Sequence, residues 1–407
     1  MKLLFHKYTK TILLLLLFAV IMRFGYNTLT SWQQPLIGDE QRYFGVAKNL
    51  AEGHGYTFHG EPFTLIPGTS LILTFFFFFL GASPLLGKIL VSLGSSFIAP
   101  LRFLFALKLH KKYWPALLAG IWMAVYPYFL HESTMMDSEN FFIPLFIIFV
   151  FYWLELNSKK FSPPYFFVGG AFLGVLTLIR PVGYYLAFFL IGWLFVFCDK
   201  PFQYWREKLK GTAVFLLAFF LVLSPWIIRN EIVFHKYIPT NTDFMEIMSG
   251  SHNEVTFTDP VVAGNYLGLY EVIGSAAYDS ISDAERKAYF IAINKKYWYK
   301  IPWLTVQKLK WFWHYSPKHP YHRSLLQDII GLLSYGIFIP FFIWGFWRHR
   351  KERPYQFLLW LIIYFCLSTM ASYGCTRLRL PLDPFLITVA FFALWELMPK
   401  NLQKKFQ

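Results

Sequence analysis

Ile66-Pro67-Gly68-Thr69-Ser70-Leu71-Ile72-Leu73-Thr74-Phe75-Phe76-Phe77-Phe78-Phe79-Leu80-Gly81-Ala82 is the stretch on which the topology of this chain turns. It is apolar enough to count as a membrane crossing, and so is the run that follows, Pro84 to Leu109. If both cross, the clusters Lys108/Lys111/Lys112, Lys159/Lys160, Lys200/Arg206/Lys208/Lys210 and Arg348/Arg350/Lys351/Arg353 all fall outside, against the inward bias of basic residues. If one crosses, every cluster falls inside. A run of about 16 residues opened by Pro67-Gly68 is short for a hydrocarbon core of about 30 Å. Residues 66–82 therefore read as a re-entrant or interfacial helix.

The composition agrees with a membrane setting: of 407 residues, 56% are hydrophobic, 21% aromatic and only 15% charged, which excludes an ordinary soluble domain. The net charge of +15 sits in short clusters between apolar runs, a sign of topology and not of a nucleic-acid partner. Cys198, Cys366 and Cys375 form no disulfide framework and lack metal-ligand spacing. Lys2, Lys7 and Lys10 precede Ile12 to Ile21, and Met22-Arg23-Phe24 offers no cleavage site, so 10–29 reads as an uncleaved first span starting inside. Further spans are expected at 85–109, 114–131, 140–156, 165–180, 183–198, 212–229, 326–347, 355–373 and 382–398. The expected fold is an all-α polytopic membrane protein of about ten transmembrane helices, with a re-entrant or juxtamembrane helix and a small, mostly helical external cap. The parts are 1–229, with external loops at 30–84 and 131–139; the cap, 230–325; and the C-terminal transmembrane helices, 326–407. Within the cap, Ser282-Asp283-Ala284-Glu285 is a capping box. It opens a helix running through Tyr289, Ala292, Ile293 and Tyr297, with Ile301-Pro302 as its break.

Upstream of the deciding stretch lies Gly38-Asp39-Glu40-Gln41-Arg42-Tyr43, continuing through Val46, Ala47 and Leu50 to Gly53-His54-Gly55-Tyr56. Tyr43, Val46, Ala47 and Leu50 recur at helical spacing, with Glu40, Arg42, Lys48 and Asn49 assigned to the other side. This is a short amphipathic helix along the bilayer with Asp39 at its start. Asp39 either favours the helix dipole as a cap or stands at the water boundary as a general base. On the same outer side, the loop His131-Glu132-Ser133-Thr134-Met135-Met136-Asp137-Ser138-Glu139 gathers three carboxylates. They read either as a hydrated loop with a helix cap, or as acids that position an acceptor or share a metal with Asp39. Oxygen ligands suit magnesium or manganese, which makes a divalent cation the candidate cofactor. Arg180, Arg229, Arg377 and Arg379 also reach outer span ends. Each either snorkels to lipid phosphate or joins in holding a phosphate leaving group, which guanidinium matches in geometry. His54, His59 and Lys88 are weaker candidates for the same job.

Asp39-Glu40 with Tyr43 and Ala47, then Gly53-His54-Gly55 and Pro67-Gly68, resembles the first external loop of the GT-C superfamily of membrane glycosyltransferases. The branch is that of dolichyl-phosphate-mannose-protein mannosyltransferases, the lipid A aminoarabinose transferase and the Rgt-type lipopolysaccharide sugar transferases. Leu178-Ile179-Arg180-Pro181, Ser224 to Asn230, Ile238-Pro239-Thr240-Asn241-Thr242 and Arg377-Leu378-Arg379-Leu380-Pro381-Leu382-x-Pro384 are similar to later landmarks in the same order. Asp243-Phe244-Met245-Glu246 replaces the family's usual glycine-rich continuation. The resemblance implies an inverting hexosyl or pentosyl transferase at the outer, periplasmic face of the plasma (inner) membrane. Its donor is a polyprenyl-phosphate sugar and its acceptor a lipid, glycan or protein, with membrane lipids around it. It also implies Asp39 as base, Glu139 or Asp137 as the second-loop acid and Arg180 at the donor phosphate, with Glu40, Tyr43, His54, Lys88, Arg229, Arg377 and Arg379 as further substrate contacts. The rival readings are a polymerase or ligase with a diphosphate-linked donor, and a lipid or sugar flippase. Against the flippase, the midplane is apolar apart from Arg23 and Arg102 near span ends.

Overall fold

A computed structural model describes residues 2–156, 162–197, 205–241, 244–274, 281–316 and 324–405. Lys159, Lys160, Cys198, Lys200 and Asp243 lie outside the described residues. Regular structure is helical apart from one small hairpin, Thr57–Phe58 paired antiparallel with Glu61–Pro62. Its turn residues His59 (φ 51°) and Gly60 (φ 83°) are both left-handed, as a tight two-residue hairpin requires.

Among the described residues, six helical segments are long and apolar enough to cross a membrane: Thr9–Thr30, Pro84–His110, Glu139–Leu156, Trp205–Phe234, Leu325–Arg348 and Arg353–Ala371. Tyr113–Val125, Pro163–Ile179 and Gly183–Val196 are apolar but shorter. The chain is thus a multi-pass membrane protein. The expected span 85–109 is two helices, Pro84–Ser96 and Ile98–His110, joined at Phe97. Gly68–Leu80 has 13 residues, about 20 Å of helix against about 30 Å of hydrocarbon. Leu73 and Phe77 pack it on Tyr43 and Ala47, while Phe75, Phe78 and Phe79 stay exposed.

The chain divides into two compact units. The first comprises Met1–Asn241, Ile339–Leu358 and Pro384–Gln407. In it the fully buried Arg23 donates Nε to Ser95 Oγ (3.0 Å) and Nη1 to the Ala124 carbonyl (3.3 Å), joining three helices through groups that lipid cannot satisfy. The second unit comprises Thr242–Phe338 and Leu359–Asp383. Phe257, Ala263, Ile293, Tyr297 and Leu304 form its apolar cluster. The capping box is present: Ser282 Oγ accepts from Glu285 N, and the Glu285 carboxylate accepts from Ser282 N at 2.8 Å. These bonds hold the Glu285 carboxyl below its usual range. Ile301-Pro302 does not end structure as expected. A 3-10 turn, Trp298–Lys300, leads into a new helix, Ile301–Trp313, whose first turn takes Pro302 because no N–H partner is needed there.

Candidate active site

The helix Asp39–Ala51 begins after Gly38, whose φ of 55° and ψ of −124° fit glycine alone. Gly38 is the cap, so Asp39 is the first helical residue. Its side chain is 42% exposed and lies 3.6 Å from Arg42. Tyr43, Val46 and Ala47 are buried as the spacing predicts, but Glu40, assigned to the polar side, is buried with them. Glu40 precedes Tyr43 by three residues and Ala47 by seven, so the helical period itself puts it on the packed stripe.

Buried, Glu40 acts as a clamp. Oε2 accepts from Ile37 N (3.2 Å) and Oε1 from Met136 N (3.1 Å). Met136 is itself fully buried against Tyr43, Ala47, Leu73, Phe77 and Val91. The acidic loop is thereby docked on the first-loop helix, and Asp39 and Asp137 flank the docking bond. Asn140 Nδ2 donates to the Glu132 and Met135 carbonyls, both at 2.9 Å, and Asn27 Nδ2 donates to the Ser133 carbonyl at 3.1 Å. A loop whose carbonyls are spoken for has one shape.

That shape collects Glu132, Asp137 and Glu139, all buried, with one oxygen of each lying within 4.8 Å of the others. Glu139 opens the helix Glu139–Leu156. It accepts from Ser138 Oγ at 3.1 Å and pairs with Arg180 Nη1 at 2.5 Å. Arg180 follows the helix Pro163–Ile179 in extended conformation, as the residue before Pro181 should. Gly68 lets the neighbouring chain approach here, because a Cβ on it would stand 2.5 Å from the Leu178 carbonyl oxygen. Among these four groups, three carboxylates against one guanidinium leave two negative charges. Buried oxygens at that separation and charge fit a divalent cation. Glu132 stood in the sequence as one of three loop acids, but no spacing rule marked it above the others; burial does.

The other expected contacts have different surroundings. Lys88, 1% exposed, gives Nζ to the Ser31 (2.7 Å) and Gln34 (2.9 Å) carbonyls. Arg229 donates to the carbonyls of Phe63 (2.8 Å) and Tyr56 (3.1 Å) and to Asn230 Oδ1 (2.9 Å), and its guanidinium lies over the rings of Tyr56, Trp226 and Phe234. Tyr43 is core. His54 is exposed, 3.7 Å from Glu52. Arg377 and Arg379 belong to the second unit. There Arg379 is fully buried, bonded to Asp383 (2.8 Å) and to the Phe312 (3.1 Å) and His314 (2.6 Å) carbonyls. Four cations expected at a phosphate thus hold backbone or a carboxylate: Lys88, Arg229 and Arg379 in full view, and Arg180 through Glu139.

No protein-family signature and no curated protein matches the chain. Solved structures do. ArnT from Cupriavidus metallidurans bound to undecaprenyl phosphate aligns over 98% of this chain and 62% of its own, at 14% identity and a TM-score of 0.58. The archaeal oligosaccharyltransferase AglB from Archaeoglobus fulgidus, with an inhibitory peptide and a dolichol-phosphate, aligns over 96% and 50% at 16% identity and 0.54. A complex of the same archaeal enzyme with Zn and sulfate aligns over 97% and 50% at 14% identity and 0.58. This chain thus spans about three fifths of the length of ArnT and half that of AglB. At such identities the likeness is one of fold: the chain is built on the GT-C fold that ArnT and AglB share.

Proposed function

We propose that the chain transfers a hexosyl or pentosyl group from a polyprenyl-phosphate donor to a hydroxyl of a lipid, glycan or protein acceptor, with inversion. In this reading about ten segments cross the plasma membrane, the shorter apolar helices included, and the acid site opens on the outer face. The observation that carries it is the docking of an accessible carboxylate, Asp39, against three buried ones, Glu132, Asp137 and Glu139, beside Arg180. The fold shared with proteins solved with undecaprenyl phosphate and dolichol-phosphate supports it.

Asp39 takes the proton of the acceptor hydroxyl as its oxygen bonds to the anomeric carbon. The bond from that carbon to the phosphate oxygen breaks, and the phosphate leaves with the electron pair. Arg180, with its position set by Glu139, faces the developing phosphate charge. Glu132, Asp137 and Glu139 would hold a divalent cation, which when bound supplies positive charge for the leaving phosphate. The chain's remaining contribution is orientation, which Glu40, Asn140 and Asn27 provide by fixing the loop.

The test is purified protein incubated with labelled polyprenyl-phosphate sugars, and in parallel with diphosphate-linked ones, with mass spectrometry of the labelled product. Wild type labels an acceptor from the monophosphate donor and Asp39→Asn does not. Near wild-type turnover by Asp39→Asn removes the base assignment. Label moving across the bilayer with no covalent product favours transport.

A further inference from the structure

A second cavity lies at the opposite end of the first unit. Helix Glu139–Leu156 starts at the acid cluster, and Glu155 is sixteen residues further on, about 24 Å along the axis at 1.5 Å per residue. There Phe105, Phe151, Leu154 and Trp193 wall a cavity of about 320 Å³ whose charged lining is Lys108, Glu155 and Arg353. Lys108 pairs with Glu155, and Arg353 Nη2 is held by the Phe197 carbonyl at 2.7 Å. Lys111, Arg348, Arg350 and Lys351, at the same helix ends, are exposed.

One group deeper in the same helix sharpens the electrostatics. Arg102 is fully buried, none of its three nitrogens has a hydrogen-bond partner among the described residues, and its guanidinium lies 5.8 Å from the ring of Phe105, a wall of the cavity. A buried guanidinium left unpaired costs several kcal/mol, and in a low-dielectric wall its field is weakly screened. With Arg102, Lys108 and Arg353 against Glu155, the formal charge is +2. The walls are aromatic and aliphatic, and the helix ends are those of membrane-crossing segments. An anion with a hydrocarbon chain satisfies both features; a free anion leaves the apolar walls uncovered.

We propose that this cavity binds an anionic phospholipid, its phosphate at Lys108 and Arg353 and an acyl chain along Phe105, Phe151 and Trp193. The site is separate from the acid cluster and holds whether or not the chain transfers sugar. Native mass spectrometry of the full chain in detergent, titrated with phosphatidylglycerol or phosphatidylcholine, reads it. Wild type should retain phosphatidylglycerol about tenfold better than phosphatidylcholine, and Arg353→Gln should lower that occupancy at least about fivefold, a preference of an ordinary charged contact. Leu154→Trp, which fills the cavity and leaves its charge unchanged, should do the same, and it decides the matter should Arg353→Gln fail to fold. Equal retention of the two lipids, unchanged phosphatidylglycerol occupancy in folded Leu154→Trp, or displacement of the lipid by an equal concentration of glycerol phosphate would overturn the proposal.

Discussion

Glu40→Gln tests whether one carboxylate holds the two halves of the acid site together. Glu40 is 4% exposed and accepts from Met136 N at 3.1 Å through one oxygen and from Ile37 N at 3.2 Å through the other. Glutamine keeps the shape but has a single acceptor oxygen, so one of the two N–H groups meets an NH₂ instead. A hydrogen bond to a charged group contributes about 1.5–3 kcal/mol, and an orphaned buried N–H costs about 1–3, so the expected loss is about 2–3 kcal/mol. At about 1.4 kcal/mol per decade, opening of the 132–138 loop should become roughly 30- to 150-fold more frequent. Hydrogen exchange of the peptide covering that loop, in detergent, reads this without reference to any activity. Arg42→Gln is the control: its partner Asp39 is exposed at 3.6 Å, a contact worth about 0–1 kcal/mol, and the loop should not respond. Exchange in Glu40→Gln within about threefold of wild type would refute the clamp.

Arg180→Gln should destabilise the first unit by about 3–5 kcal/mol, because it leaves the fully buried Glu139 without its partner, and the double change with Glu139→Gln should recover part of that loss; thermal unfolding that shows strict additivity would deny the coupling. Gly68→Ala puts a Cβ 2.5 Å from the Leu178 carbonyl oxygen and should cost about 1–3 kcal/mol, whereas Gly25→Ala, with open space around it, should cost nothing measurable in the same melts. In the second unit His252 is pulled down to about 4, by burial and then by Lys308, while its Nδ1 donates to Asn294 Oδ1 (2.7 Å) and its Nε2 accepts from Lys308 (2.8 Å). The unfolded chain binds this proton below about pH 6.5 and the folded one only near 4. Stability is therefore intact above 6.5 and falls by about 3 kcal/mol as pH drops through that window. Melts of His252→Gln should show a shallower pH slope, and equal slopes would end the argument.

What the sequence made legible was periodic or local. The stripe Tyr43, Val46, Ala47 is readable because a helix repeats every 3.6 residues, and the Ser282 to Glu285 box because its partners are three residues apart. Where reading failed, the deciding partner was remote. Lys88 looked like a phosphate ligand because its charge is visible in the sequence, whereas the two carbonyls that consume it, 57 and 54 residues away, are not. Glu132 could not be ranked among the loop acids because burial depends on helices far along the chain. The contact of His252 with Lys308 spans 56 residues and follows no period at all. The misplacement of Glu40 has another cause: its charge was allowed to outweigh its register, although a buried carboxylate is tolerable once two N–H groups meet it.

Arg229 brings these threads to one experiment. Loss of activity in Arg229→Ala is uninformative, because the residue is tied to the Phe63 and Tyr56 carbonyls and to Asn230, so its removal frees the hairpin segment whatever it does to substrate. Arg229→Lys separates the roles. Lysine keeps the charge and suits a phosphate as a point cation, but its one ammonium does not reproduce the planar fork that reaches both carbonyls and stacks over Tyr56, Trp226 and Phe234. If the side chain is a clamp, Arg229→Lys should expose the 56–63 segment to proteolysis much as Arg229→Ala does. If it is a phosphate ligand, lysine should restore most of the turnover that alanine loses and leave that segment as protected as in wild type. Three directional bonds and three rings around one guanidinium favour the first result, and full rescue by lysine would refute it.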